Sequence, residues 1–89
     1  MDRDERILER IRDIAGRPKN VTLEDIEWVI GQIEAHHYVK RREFAHGILF
    51  RIDGQRFSVC THHRGSRQLK VAYVKGFLRA MSELGWYDE

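Results

Sequence analysis

Ile48-Leu49-Phe50-Arg51-Ile52-Asp53-Gly54-Gln55-Arg56-Phe57-Ser58-Val59-Cys60-Thr61 decides the fold, because a turn signal and an alternation pattern meet in it. Asp-Gly is favoured in two-residue hairpin turns, whose central residues take positive φ. Such a loop sets Ile52 opposite Gln55, Phe50 opposite Phe57 and Ile48 opposite Val59. Side chains alternate with period two along a strand, so these apolar-rich pairs share one face. The other face receives Arg51 opposite Arg56 and Leu49 opposite Ser58. Slipping the register by one residue would turn the whole apolar set to solvent, so turn and pattern specify the same pairing. Two arginines directly opposite each other repel unless water or an anion lies between them.

Working outward, Tyr38 to Phe44 reads as a preceding strand, with Lys40, Arg41 and Arg42 giving it a wet face or edge. Upstream, Ile7, Leu8, Ile11 and Ile14 recur at helical spacing from Asp4 to Ala15. Gly16 is expected to supply a left-handed stop there, and Pro18 blocks continuation. Thr22 then reads as an N-cap, with Asp25 three residues on as a short-armed capping box. Val21 and Ile26 occupy the two positions of a hydrophobic staple. Ile26, Val29, Ile30 and Ile33 form the buried stripe of a second helix ending near Ala35. Downstream, His62 to Arg67 reads as a loop. Lys70 to Leu84 is the last helix, with Val74, Phe77, Leu78, Met81 and Leu84 inward and Gly85 as its C-cap. The predicted order is α-α-β-β-β-α, an α+β fold with a three-stranded antiparallel sheet packed against helices.

The 89 residues suit a single domain spanning 1–89, with 1–16 an accessory N-terminal helix and 20–85 the core. Cys60 is the one cysteine, so no internal disulfide framework forms, which suits a reducing compartment. The charged start lacks the apolar run of a signal peptide, and no stretch approaches the ~20 apolar residues of a membrane span. A cytoplasmic location is expected. The net charge of +2 hides a division. Residues 1–36 carry six Lys/Arg against nine Asp/Glu, whereas residues 37–89 carry ten against five and hold four of the five histidines. A basic C-terminal part suggests an anionic partner, although a solvated surface carries such asymmetry too.

Several strings resemble the HicA toxin family, in the right order. Arg17-Pro18-Lys19-Asn20-Val21 followed by Glu24-Asp25 is similar to an opening found in one branch of that family. His46-Gly47-Ile48-Leu49, leading to Asp53-Gly54, resembles its histidine-bearing strand and turn. Val59-Cys60-Thr61-His62-His63 lies where many members have a Val-Pro-x-His-like stretch. Gly65-Ser66-Arg67-Gln68-Leu69-Lys70 resembles the lead into the family's final helix, and Tyr73-Val74-Lys75-Gly76-Phe77-Leu78 the start of that helix. The resemblance runs from about Arg17 to Gly85. It implies a double-stranded-RNA-binding-domain-like fold, with one extra helix in front. It also implies an mRNA endonuclease neutralised by a HicB-type antitoxin, with the catalytic histidine at His46.

The chemistry implied is metal-independent. A neutral imidazole removes the proton of a ribose 2′-hydroxyl, which attacks the adjoining phosphorus; a pKa near 6.5 suits histidine to this work. Arginine and lysine hold the phosphate and offset its developing charge. Arg51, Arg56, Arg64, Arg67 and Lys70 are the candidates, with His62 and His63 as accessories, and such a site needs no cofactor. The family's usual Gly-Ser or Gly-Asn before the histidine is here Phe44-Ala45. Strict alternation also puts His46 on the side of Ile48 and Phe50, opposite Thr61, where a core-edge histidine would sit; a bulge near Gly47 would turn it outward.

The blander alternatives stay in view. His46, Cys60, His62 and His63 lack the spacing of a zinc site. Lys40-Arg41-Arg42 reads as an RNA track or as an edge strand charged against aggregation. Trp28, Trp86 and Tyr87 read as base-stacking or, more simply, as packing residues. A non-cleaving RNA-binding module, and a protein-interaction domain whose basic sheet face meets an acidic protein, are the competing functions.

Overall fold

The computed structural model describes residues 4–61 and 66–88. Its elements are α1 (Glu5–Gly16), α2 (Leu23–Ile33), β1 (Val39–Phe44), β2 (Gly47–Ile52), β3 (Gln55–Cys60) and α3 (Val71–Glu83), an α+β order with all three strands antiparallel. The central hairpin has the expected register: Ile52 pairs with Gln55, Phe50 with Phe57 and Ile48 with Val59. Asp53 at φ 45° and Gly54 at φ 87° make the turn, the positive-φ pair that lets the strands keep their right-handed twist. β1 adds to the free side of β2, pairing Lys40 with Arg51 and Arg42 with Leu49.

One sheet face carries the core. Ile48, Phe50, Ile52, Phe57 and Val59 are buried against Ile7, Ile11 and Ile14 of α1, Ile26, Ile30 and Ile33 of α2, and Val74, Phe77 and Met81 of α3. Phe50 stacks on Phe57 at 5.3 Å, and Phe57 meets the edge of Phe77 at 5.7 Å, arrangements favoured by the ring quadrupole. No polar or charged side chain is buried among the described residues.

Local signals explain the helix ends, with one exception. The Thr22 hydroxyl accepts the Asp25 N–H at 3.3 Å while the Asp25 carboxylate accepts the Thr22 N–H at 2.9 Å, closing both arms of the capping box. Arg17 reaches the same carboxylate at 3.1 Å and Asp13 at 2.8 Å, tying α1 to the start of α2. Burial pushes the Asp25 carboxyl up, but Arg17 and the Thr22 groups outweigh it and hold it below its ordinary value. At the far end, Gly85 adopts φ 84°. Its N–H bonds Ser82 O at 3.0 Å and the Trp86 N–H bonds Met81 O at 2.7 Å, the paired bonds of a Schellman cap. Gly16 corrects the sequence reading. It is the last residue of α1 without positive φ, and Arg17, at φ −140°, ends the helix by donating to Ile14 O.

Trp86 is buried and donates its indole N–H to His37 Nε2 at 2.9 Å, while His37 Nδ1 lies 2.6 Å from the Asp53 carboxylate. An indole N–H can only donate, so Nε2 accepts and Nδ1 is left to donate to the Asp53 carboxylate. It clamps the C-terminal turn to the hairpin turn. No helix among the described residues is long and apolar enough to cross a membrane.

Candidate functional site

His46 lies in the two-residue connection between β1 and β2, beyond the start of the strand where the sequence placed it. No bulge is needed to turn it outward, because the ladder runs regularly through Phe44, Gly47 and Cys60. The imidazole is exposed, and the turn frees it from the core parity that alternation assigns. Its carbonyl accepts the Thr61 N–H at 3.1 Å, so the expected His46–Thr61 juxtaposition is present. Gly47 explains why the strands sit so close here: a Cβ on it would lie 2.1 Å from the Val59 carbonyl oxygen.

The turn opens on a cleft of about 410 Å³, lined by His46, Thr61, Ser66, Arg67, Glu27 and Glu43 among others. Arg67 reaches it because its segment is laid against the start of α2. The Leu23 N–H donates to Arg67 O at 2.8 Å, the Leu69 N–H to Val21 O at 2.9 Å and the Gln68 amide to Lys19 O at 2.6 Å. The Arg67 guanidinium is ion-paired with Glu24. Glu27 and Glu43 were not foreseen as neighbours of His46. Glu43 comes beside it because the two-residue turn, which the sequence did not signal, sets it opposite Ile48 on the helix-side face; Glu27 comes from α2, and its approach is purely tertiary.

The other predicted residues separate. Arg51 and Arg56 face each other across the hairpin, both exposed, on the sheet face away from the helices. Arg51 is also near the far end of β2, about 17 Å of extended chain from His46. The structure therefore does not bring Arg51 and Arg56 to His46. Lys70 is exposed at the N-cap of α3 and does not line the cleft. His62, His63 and Arg64 lie outside the described residues. Among the described residues no three His, Cys, Asp or Glu side chains gather closely enough to hold a metal ion. Cys60 is half-buried beside Tyr73, and a hydrogen bond between them raises the Tyr73 phenol above its ordinary value. Trp28 packs under Arg10, whose guanidinium lies 4.3 Å from the ring centroid, and buried Trp86 is no stacking platform.

The cleft thus joins an exposed imidazole, two hydroxyls and a guanidinium to carboxylates that oppose a phosphate. Of the strand cations, Lys40, Arg42, Arg51 and Arg56 lie on the other sheet face. Comparison with protein-family models, with curated proteins and with solved structures gives no match.

Proposed function

We propose that this protein is a HicA-like endoribonuclease with a double-stranded-RNA-binding-domain-like fold, acting on mRNA in the cytoplasm and restrained by a HicB-type antitoxin. The observation that carries the reading is the position of His46. An exposed imidazole in a hairpin turn borders a cleft that also holds Arg67, Thr61 and Ser66. A polymer can enter such a site without the enclosure that small substrates require.

In the proposed reaction neutral His46 takes the ribose 2′-hydroxyl proton, and the 2′-oxygen forms a bond to phosphorus. The bond from phosphorus to the 5′-oxygen breaks, and that oxygen leaves with a proton from water. The products are a 2′,3′-cyclic phosphate and a 5′-hydroxyl. Arg67 offsets charge on the phosphoryl oxygens after exchanging its Glu24 partner for the phosphate.

A second reading, an RNA-binding module without cleavage, is favoured by the carboxylates of Glu27 and Glu43 in the cleft and by the engagement of Arg67 with Glu24. Incubating the protein with single-stranded RNA and analysing the ends separates the two. Cyclic-phosphate ends that disappear in His46→Ala, with RNA affinity retained, support cleavage. Undiminished cleavage by His46→Ala overturns the role given to His46, and binding without cleavage by the unsubstituted protein establishes the second reading.

A further inference from the structure

The β1–β2–β3 register sorts the basic residues of the strands onto two faces. Arg41 points to the helix side and pairs with Glu34 at 3.2 Å. Lys40, Arg51 and Arg56 form one cross-strand row on the opposite face, with Arg42 on the next row of that face beside Leu49 and Ser58. All four cations are exposed, and among the described residues none has an acidic partner. Directly opposed like charges destabilise a sheet, so the row costs stability unless an anion occupies it. Asp53, at the end of this face, is turned to His37.

Aromatic rings bracket the cations. Tyr38 and Phe44 are the exposed large hydrophobics of the described residues, at 71% and 48% exposure. Both share the parity of Lys40 and Arg42, and Lys40 Nζ lies 5.7 Å from the Tyr38 ring centroid. The two rings are about 20 Å apart along an extended strand, a platform long enough for two or three stacked bases. An acidic peptide would neutralise the cations and leave both rings unused. A second copy of the chain would set like-charged rows against each other. Single-stranded RNA uses both features, phosphates on cations and bases on rings.

We infer that the sheet face opposite the core, bordered along β3 by Tyr73 and Arg79 of α3, is a track for single-stranded RNA, with Lys40, Arg42, Arg51 and Arg56 holding phosphates and Tyr38 and Phe44 stacking bases. This rests on the RNA reading above and gives it a binding surface that meets the His46 cleft at Phe44. Arg51 and Arg56 then hold the strand away from the reacting phosphate.

The test is fluorescence anisotropy of a labelled 2′-O-methyl RNA of about 12 nucleotides, which lacks the attacking hydroxyl, so binding is read apart from cleavage. The triple variant Lys40→Gln/Arg51→Gln/Arg56→Gln is expected to bind at least about tenfold more weakly, with the slope of log Kd against log salt reduced by about two. Tyr38→Ser and Phe44→Ser each weaken binding at least about fivefold and leave the slope alone. Unfolding midpoints of these surface variants confirm that each is folded. Unaltered affinity and slope in the triple variant, while the wild type binds RNA, overturn the track and leave the RNA reading standing. Loss of binding to a polyglutamate peptide with RNA binding intact also overturns it, in favour of a protein partner. A wild type that does not bind RNA at low salt overturns both.

Discussion

Gly47→Ala is the substitution whose effect follows most directly from the structure. An added Cβ would lie 2.1 Å from the Val59 carbonyl oxygen, 3.0 Å from Cys60 Cα and 3.0 Å from Cys60 Sγ. The first obstacle is backbone in the adjoining strand, so no rotamer change relieves it. β2 must move away from β3 by at least about 1.3 Å to bring 2.1 Å to the 3.4 Å of ordinary contact. Gly47 also pairs with Phe44 on its other side, which carries the strain into the β1–β2 turn. Overpacking of this kind costs about 1–3 kcal/mol, and a strained or lost ladder hydrogen bond adds about 1 kcal/mol. We therefore expect about 3 kcal/mol of destabilisation, against a total of roughly 5–13 kcal/mol for a domain of this size, and a fall in Tm of 10 °C or more. Urea denaturation followed by the fluorescence of Trp28 and Trp86 measures it. Gly31→Ala is the control: a Cβ on Gly31 meets nothing within 4 Å on a helix, and the change should stabilise by about 0.5–1 kcal/mol. A Gly47→Ala midpoint within error of wild type, with the amide shifts of Val59 and Cys60 unmoved, would refute the close-approach argument.

Three further outcomes follow from the same contacts. Arg17 holds the carboxyls of Asp13 and Asp25 below their ordinary values. Depressed folded-state values mean stability that is present above the unfolded carboxyl pKa and lost as pH falls through the folded one. Acid unfolding curves should therefore show Arg17→Gln losing stability less steeply below about pH 4 than wild type, and parallel curves would remove Arg17 from that role. Trp86→Phe deletes the donor to His37 Nε2 and should cost about 1 kcal/mol by denaturation. An unchanged unfolding midpoint would contradict the clamp. His46→Ala, at an exposed turn, should shift stability by less than about 0.5 kcal/mol, so a large loss of stability would show His46 to be structural.

The hairpin was legible because two independent signals agreed: Asp53-Gly54 demands a two-residue turn, and only one register then buries Ile48, Phe50, Phe57 and Val59 together. The Thr22–Asp25 box and the Gly85 cap were legible because capping acts over a few residues through backbone groups that must be satisfied. The turn at Ala45-His46 was not, since neither residue carries a turn signal or a positive φ. Its tightness comes from Gly47 lying against Val59, a contact between strands.

The candidate site divides in the same way. The sequence by itself determined the order and pairing of the elements and the residue types available for RNA chemistry, because periodicity and turn chemistry are local. Only the tertiary structure decided which of those residues share a place. It carried Arg67 to the mouth of the His46 cleft through backbone bonds to Val21 and Leu23, and it added Glu27 and Glu43. It also set Lys40 beside Arg51, whose pairing with Arg56 on the opposite face the hairpin pattern had already given. Strand pairing and helix docking act across the chain, so residues near in sequence parted and residues more than 20 positions apart came together.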